Sequence, residues 1–207
     1  MRLTQEQYDK AKPMHANQEM VRAFLDGIKT QTRRPIPEKV MADMRIAQQI
    51  GEVSDFYDSG YLQKGDESYI IDFAPYQPGS IIYIRERARL VAFGQGRCVF
   101  RYDADNKLSD WGNFPSRIKS ITLGHCVPNG CFKELARLFY EVKGVRVEWI
   151  QDISDEDAIA EGVSCVKKPG EADTFIGQFF RIWSDCYPGS WDRNDFVWVY
   201  DLERILK

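Results

Sequence analysis

The sequence predicts an α+β chain, arranged as a compact, mostly antiparallel β-barrel with inserted helices. Three observations lead there. About six segments read as strands, either alternating or continuously apolar. Several follow one another with no helix between them. The helices that do occur lack the regular strand–helix alternation of a doubly wound sheet. With 207 residues, no internal repeat and no linker-like stretch, one domain is expected over residues 1–207, with insertions at about 36–74 and 103–135.

Composition narrows the function classes. Hydrophobic residues make up 43% of the chain, enough for a full core, and the net charge is −3. That charge argues against a general polyanion binder and leaves room for a local basic pocket. No apolar run approaches the roughly 18–20 residues that span a bilayer, so no membrane role is expected. The first residues lack the apolar region of a signal peptide. The five cysteines, Cys98, Cys126, Cys131, Cys165 and Cys186, are odd in number and unpatterned. They read as reduced thiols in a cytoplasm.

Residues 1–13 are polar and read as a short helix or lead-in arm, and 14–17 as a short stretch in which His15 is structural. A helix follows. Met20, Val21, Phe24, Leu25 and Ile28 recur at helical spacing. Asn17 stands at the N-cap, Glu19 complements the dipole, and Gly27 stops the helix as its C′ residue. Thr30, Gln31 and Thr32 then suit an extended chain, and Pro35 biases Arg34 the same way. If extended, Lys29, Gln31 and Arg33 face one way, and Thr30, Thr32 and Arg34 the other. Cations here can simply cap helix carbonyls. Three cations and two hydroxyls within residues 29–34 also suit an anionic or nucleotide-like ligand. Both readings stand at this point.

Residues 38–50 read as a helix with Val40, Met41, Met44 and Ala47 on one face, widened by Ile46 and Ile50. Residues 51–68 read as a loop, 69–73 as a short strand, and Pro75, Pro78 and Gly79 as a turn. Strands are expected at 81–85, 98–102 and 118–123, with a turn at 103–107. His125-Cys126 with Cys131 lacks a visible fourth ligand, and no metal or cofactor is expected. Segments 138–142 and 145–150 are two strands, or one strand bent or bulged at Gly144. Residues 154–162 form a well-marked short helix, with Ser154 capping, Asp157 at N3 and Gly162 stopping it. Glu161 sits at its C-terminal end, where the dipole disfavours a carboxylate. That misplacement points to a cation elsewhere, with Lys29 a candidate. Residues 164–173 read as a loop. Phe175, Phe179, Ile182, Trp183 and Cys186 mark a core-facing helix closed by Pro188-Gly189. Residues 195–206 are apolar on both faces, as in a central strand.

The run Gly27-x-Lys29-Thr30-x-Thr32-x-Arg34 after an amphipathic helix resembles the signature of the ASCH domain, a branch of the PUA-like β-barrel superfold. Three further pieces, in the same order, resemble that family: Pro78-Gly-Ser-Ile-Ile-Tyr-Ile-Arg85, the strand and helix of 145–162, and the Trp-rich closing strand of 191–205. The last is similar to a subgroup carried by phages and prophages. The resemblance covers roughly residues 12–35, 75–102 and 138–205; segments 36–74 and 124–131 are extra to the minimal domain.

The resemblance implies a barrel with a cationic cleft that binds RNA or a modified nucleotide, and the cytoplasm expected above is a bacterial host's if the protein is phage-encoded. One branch consists of acetylcytidine amidohydrolases that use a Lys, a Thr and a Glu. Its Gly-Arg-Lys-Thr-x-Thr pattern is similar to Gly27-Ile-Lys-Thr-Gln-Thr32, which maps the lysine to Lys29, the nucleophile to Thr32 and the glutamate to Glu161. This chain is much longer than those enzymes, and the Lys-Thr-x-Thr run is widespread in the family and so also compatible with binding alone. In the hydrolytic reading Thr32 attacks an N-acyl carbonyl, and a Lys29 with depressed pKa serves as base. Glu161 moves the proton to the leaving amine. Thr30, Arg33, Arg34 and Arg85 are the expected ligand- or phosphate-binding residues. Binding of RNA or a nucleotide ranks first, and amidohydrolysis of a modified nucleoside second. A phage-encoded protein that binds a host factor is a third reading. A ribonuclease ranks below the amidohydrolase, because no His lies in the cluster.

Overall fold

The computed structural model describes residues 2–53, 67–113, 121–128, 130–163 and 174–207. The architecture is α+β. The chain forms two compact units, one from Met1–Gly27, Ile81–Glu141 and Arg204–Lys207, the other from Ile28–Ser80 and Val142–Glu203.

The first unit opens with α1 (Gln5–Lys10), started by a reciprocal capping box between Thr4 and Gln7. Strand β1 (Lys12–His15) follows, then α2 (Gln18–Leu25). As its sequence predicts, α2 is capped by Asn17, whose side chain accepts from the Met20 amide. It ends at Gly27 with φ of 73°, a left-handed conformation that glycine adopts at little cost. Val21 and Phe24 are buried, and the Tyr140 hydroxyl donates to the Phe24 carbonyl at 3.1 Å. Ile28 does not extend this apolar face; it lies beyond the glycine stop and is exposed. Strand β3 (Ile81–Arg85) pairs parallel with β1 and antiparallel with the start of β7 (Phe139–Trp149). Strands β4 (Ala88–Gly94), β5 (Arg97–Tyr102) and the short β6 (Gly112–Asn113) make a separate antiparallel sheet. The core here includes Ala88, Leu90, Phe100, Tyr102 and Phe139.

The second unit contains β2 (Gln31–Pro35), α3 (Glu38–Gln49), α4 (Glu67–Asp72), most of β7, α5 (Asp155–Ala160), α6 (Phe175–Cys186) and most of β8 (Phe196–Ile205). Strand β2 pairs antiparallel with β8. Met44, Ile70, Val142, Val197 and Val199 are fully buried, and Trp149 stacks on Phe196. The order β1-β3-β7-β8-β2 gives a five-stranded mixed sheet with β8 flanked on both sides, as its two apolar faces predict. Among the described residues the strands form these two sheets and no closed barrel.

Several expectations need correction. Residues 69–73 are not a strand: Tyr69 to Asp72 belong to α4, where Ile70 is buried and accepts a bond from the Trp198 indole at 3.1 Å. A short apolar run does not by itself separate helix from strand. Ile46 and Ile50 do not widen the buried face of α3; they are 55% and 64% exposed. Cys186 is also exposed, although α6 buries Phe179, Ile182 and Trp183 as expected. Strands β1 and β4 carry too weak a pattern to be read from sequence. The segments 138–142 and 145–150 are one continuous strand, β7. The expected strand at 118–123 falls partly outside the described residues, and Thr122–Gly124 take no strand form there. The loop at 164–173, Cys165 and most of 51–68 lie outside the described residues.

Candidate functional site

The second unit gathers most of the residues singled out by sequence. Lys29 leads into β2, and Glu161 is the C-cap of α5. The Thr30 amide donates to the Ala160 carbonyl at 2.9 Å, which ties the start of β2 to the end of α5. The Lys29 ammonium then reaches Glu161 twice, at 2.5 Å to Oε2 and 2.8 Å to the carbonyl. The carboxylate that the α5 dipole disfavours has the partner its position predicts. Both groups are buried. Burial pulls the Lys29 pKa below its ordinary value; Glu161 opposes that shift, and Arg34 and Arg33 add to it.

Arg33, only 1% exposed, is the hub of the arrangement. One terminal nitrogen donates to Gln31 at 2.7 Å and Glu161 at 3.3 Å; the other donates to Glu148 at 2.8 Å and Asp157 at 2.6 Å. Its Nε is buried with no hydrogen-bond partner among the described residues. Arg146 closes the ring from β7, holding Glu148 at 2.5 Å, Asp157 at 3.1 Å and Asp201 at 3.2 Å. Gln31 completes the circuit by donating to Asp201 at 3.0 Å. Gly144 lies where this crowding matters: a Cβ there would meet the Asp201 carboxylate at 3.1 Å. Lys29, Arg33 and Arg146 are thus set against Glu148, Asp157, Glu161 and Asp201, three cations against four carboxylates. The cluster is an ion network with one carboxylate in excess. Its buried cations are already held by acids.

The other face of β2 is chemically different. Strand alternation sends Lys29, Gln31 and Arg33 to the network and Thr32 and Arg34 to the opposite side. In register, Thr32 sits across from Tyr200 and Arg34 across from Trp198, so these share that face. Thr32 is buried. The Arg34 guanidinium donates to the Arg33 carbonyl at 3.2 Å and, at the long distance of 3.5 Å, to the Tyr187 hydroxyl. Tyr76 meets Tyr200 edge-on, with ring centroids 5.5 Å apart. The Tyr200 hydroxyl is fully buried and has no hydrogen-bond partner among the described residues. Its pKa is pushed up by burial and by Tyr76, against Arg34.

The residues named from sequence are therefore divided. Lys29, Arg33 and Glu161 come together; Thr32 and Arg34 occupy the reverse of the strand; Thr30 is exposed and contributes backbone bonds. Arg85 belongs to the first unit, where its Nε donates to the Cys131 carbonyl at 3.3 Å. Cys131 itself is buried, and that burial pushes its thiol up to about 12. Among the described residues no group of His, Cys, Asp or Glu is arranged to hold a metal. Sequence reading did not pick out Arg146, Glu148, Asp157 or Asp201 as site residues, nor Tyr76, Tyr187 and Tyr200. Strand register brings in Arg146, Glu148, Tyr200 and Asp201, and tertiary packing brings in Asp157 of α5, Tyr76 and Tyr187. No family model, curated protein or solved structure matches this chain, so the functional argument rests on the geometry of these two faces.

Proposed function

We propose that the protein is a binding module of the ASCH type, with a PUA-like fold, whose ligand is single-stranded RNA or a modified nucleotide. The observation that carries this reading is the setting of Arg34. Lys29 and Arg33 are buried against Glu161 on one side of β2; Arg34, on the other, lies half-buried beside Tyr187 and across from Trp198 of β8. A guanidinium recognises phosphate through paired N–H groups, and tyrosine rings stack bases. The ligand face is thus Arg34 with the half-buried Tyr76 and Tyr187, rather than the lysine side of the strand; Thr32 and Tyr200 are buried on the Arg34 side. Titration of a fluorescent single-stranded RNA, followed by anisotropy, tests it. Arg34→Ala is expected to weaken binding about tenfold, the scale of one charge-assisted hydrogen bond. The salt dependence should also fall by about 0.7 in log–log slope, the contribution of one phosphate on a single strand. Equal affinity and slope in the variant would remove Arg34, and with it this reading.

A second reading, hydrolysis of an acylated nucleoside such as acetylcytidine, is favoured by one observation: the buried contact between Lys29 and Glu161. A lysine with lowered pKa held against a carboxylate is suited to proton transfer. The placement of Thr32 on the opposite face ranks this second. Chromatography of acetylcytidine incubated with the wild type and with Thr32→Ala separates the cases. Deacetylation by the wild type alone is the expected result under this reading; no turnover by either protein discards it.

A further inference from the structure

The first unit, taken by itself, holds a cleft of about 830 Å³ that neither reading above uses. Its size lies within the roughly 300–1,000 Å³ typical of small-molecule sites. Strand β5 supplies one wall, because Cys98, Phe100 and Tyr102 alternate onto one face. Phe132 stands edge-on to Phe100, with ring centroids 5.7 Å apart, and Leu135 and Ala136 continue the apolar lining.

Most polar groups of the cleft are already engaged. Arg137 donates to Glu86 through Nε and one terminal nitrogen, both at 2.8 Å. It also holds Asp105 at 2.8 and 3.0 Å, and its guanidinium lies 3.9 Å from the centre of the Tyr102 ring. It is a fixed wall, and Lys107, 3.9 Å from Asp105, brings the group to two cations against two carboxylates. The Ser109 hydroxyl accepts from the Phe100 amide and donates to the Asp110 carbonyl.

Lys207 differs. Its ammonium donates to two backbone carbonyls, of Glu134 and Ala136, each at 3.1 Å. It also lies 5.6 Å from the ring centres of Tyr8 and Phe139. These four partners are neutral, and among the described residues two of the three ammonium donors are engaged. Burial draws its pKa below the ordinary lysine value, against the pull of Glu134 and Cys131. The side chains of Glu134 and Asp110, the carboxylates in the lining, are on exposed residues where water screens them.

We infer that this cleft binds a small organic anion with a flat apolar body, an aromatic carboxylate, whose ring lies against Phe100 and Phe132 and whose charge meets Lys207. Aromatic walls favour a planar body through edge and offset contacts. A cation whose hydrogen-bond and ring partners among the described residues are neutral favours a carboxylate over a neutral or cationic head group.

Naphthalene-2-carboxylate is the probe, titrated into the full isotope-labelled chain by NMR, with 2-naphthylmethylamine as its cationic counterpart. Saturable shifts at Leu108, Gly112, Leu135 and Ala136 are expected for the carboxylate. Lys207→Met keeps the stem and removes the charge; it should weaken binding about tenfold. Leu108→Glu places a carboxylate at an exposed lining position, leaves the core untouched, and should weaken binding at least as much. The inference is overturned by any one of three results: no saturable binding, an amine that binds as tightly as the carboxylate, or variants that bind like the wild type.

Discussion

Arg33→Leu is expected to destabilise the second unit by about 3–5 kcal/mol, the cost of removing one partner from a buried ion network. The size follows from what is left behind. Glu148, Asp157 and Glu161 each lose a guanidinium nitrogen, and the Gln31 amide oxygen loses its donor. Leucine fills the stem volume but offers no hydrogen bond to the carboxylates. Urea unfolding read by tryptophan fluorescence is a suitable measurement. Trp149, Trp183, Trp191 and Trp198 all belong to the second unit, whereas Trp111 belongs to the first. Adding Asp157→Asn should recover part of the loss, because it removes one of the stranded charges. Arg33→Lys should also fall well short of the wild type, since a single ammonium does not replace a fork that serves four side chains. A midpoint for Arg33→Leu within about 0.5 kcal/mol of the wild type would show that the network adds nothing to stability.

Glu161→Gln is expected to have a comparable cost at neutral pH, also about 3–5 kcal/mol, and a distinctive pH dependence. It leaves the Lys29 ammonium buried with the Glu161 carbonyl as its remaining bond to that residue, close to Arg33 and Arg34. In the wild type the folded-state pKa of Lys29 already lies below its ordinary value of 10.5. Between those two pH values the unfolded chain binds more protons than the folded one, so stability rises with pH across that window. Below the folded pKa both states are protonated, and Lys29 contributes no slope. Removing the Glu161 charge lowers the folded pKa further, so the rise should start at lower pH in Glu161→Gln. Lys29→Met should abolish it. Unfolding midpoints measured from neutral to alkaline pH and taken as differences from Lys29→Met cancel the other groups that titrate there. Parallel profiles for all three proteins would mean that Lys29 keeps an ordinary pKa despite its burial.

How legible these features were differs from element to element. Helix α2 was readable because its cap, apolar spacing and stop all lie within about a dozen residues, and each acts locally. Helix α5 was readable for the same reason, and its misplaced Glu161 even pointed to Lys29. By contrast, β1 is Lys-Pro-Met-His with only Met14 buried, so its strand form comes from pairing with β3 rather than from any pattern of its own. Helix α4 was misread because five apolar-rich residues satisfy either period.

The sequence alone determined the α+β class, the ends of α2, α3, α5 and α6, the central place of β8, and which side chains of β2 share a face. These rest on caps, stops and periodicities that act between near neighbours along the chain. Only the tertiary structure decided that Arg33 is a buried hub rather than a surface cation, that Arg146 and three acids surround it, and that Thr32 and Arg34 meet tyrosines. Those facts depend on the register of β2 against β8 and on where β7 and α5 deliver their charges. Residues more than a hundred positions apart are brought together by packing, and no local pattern encodes which of them will meet.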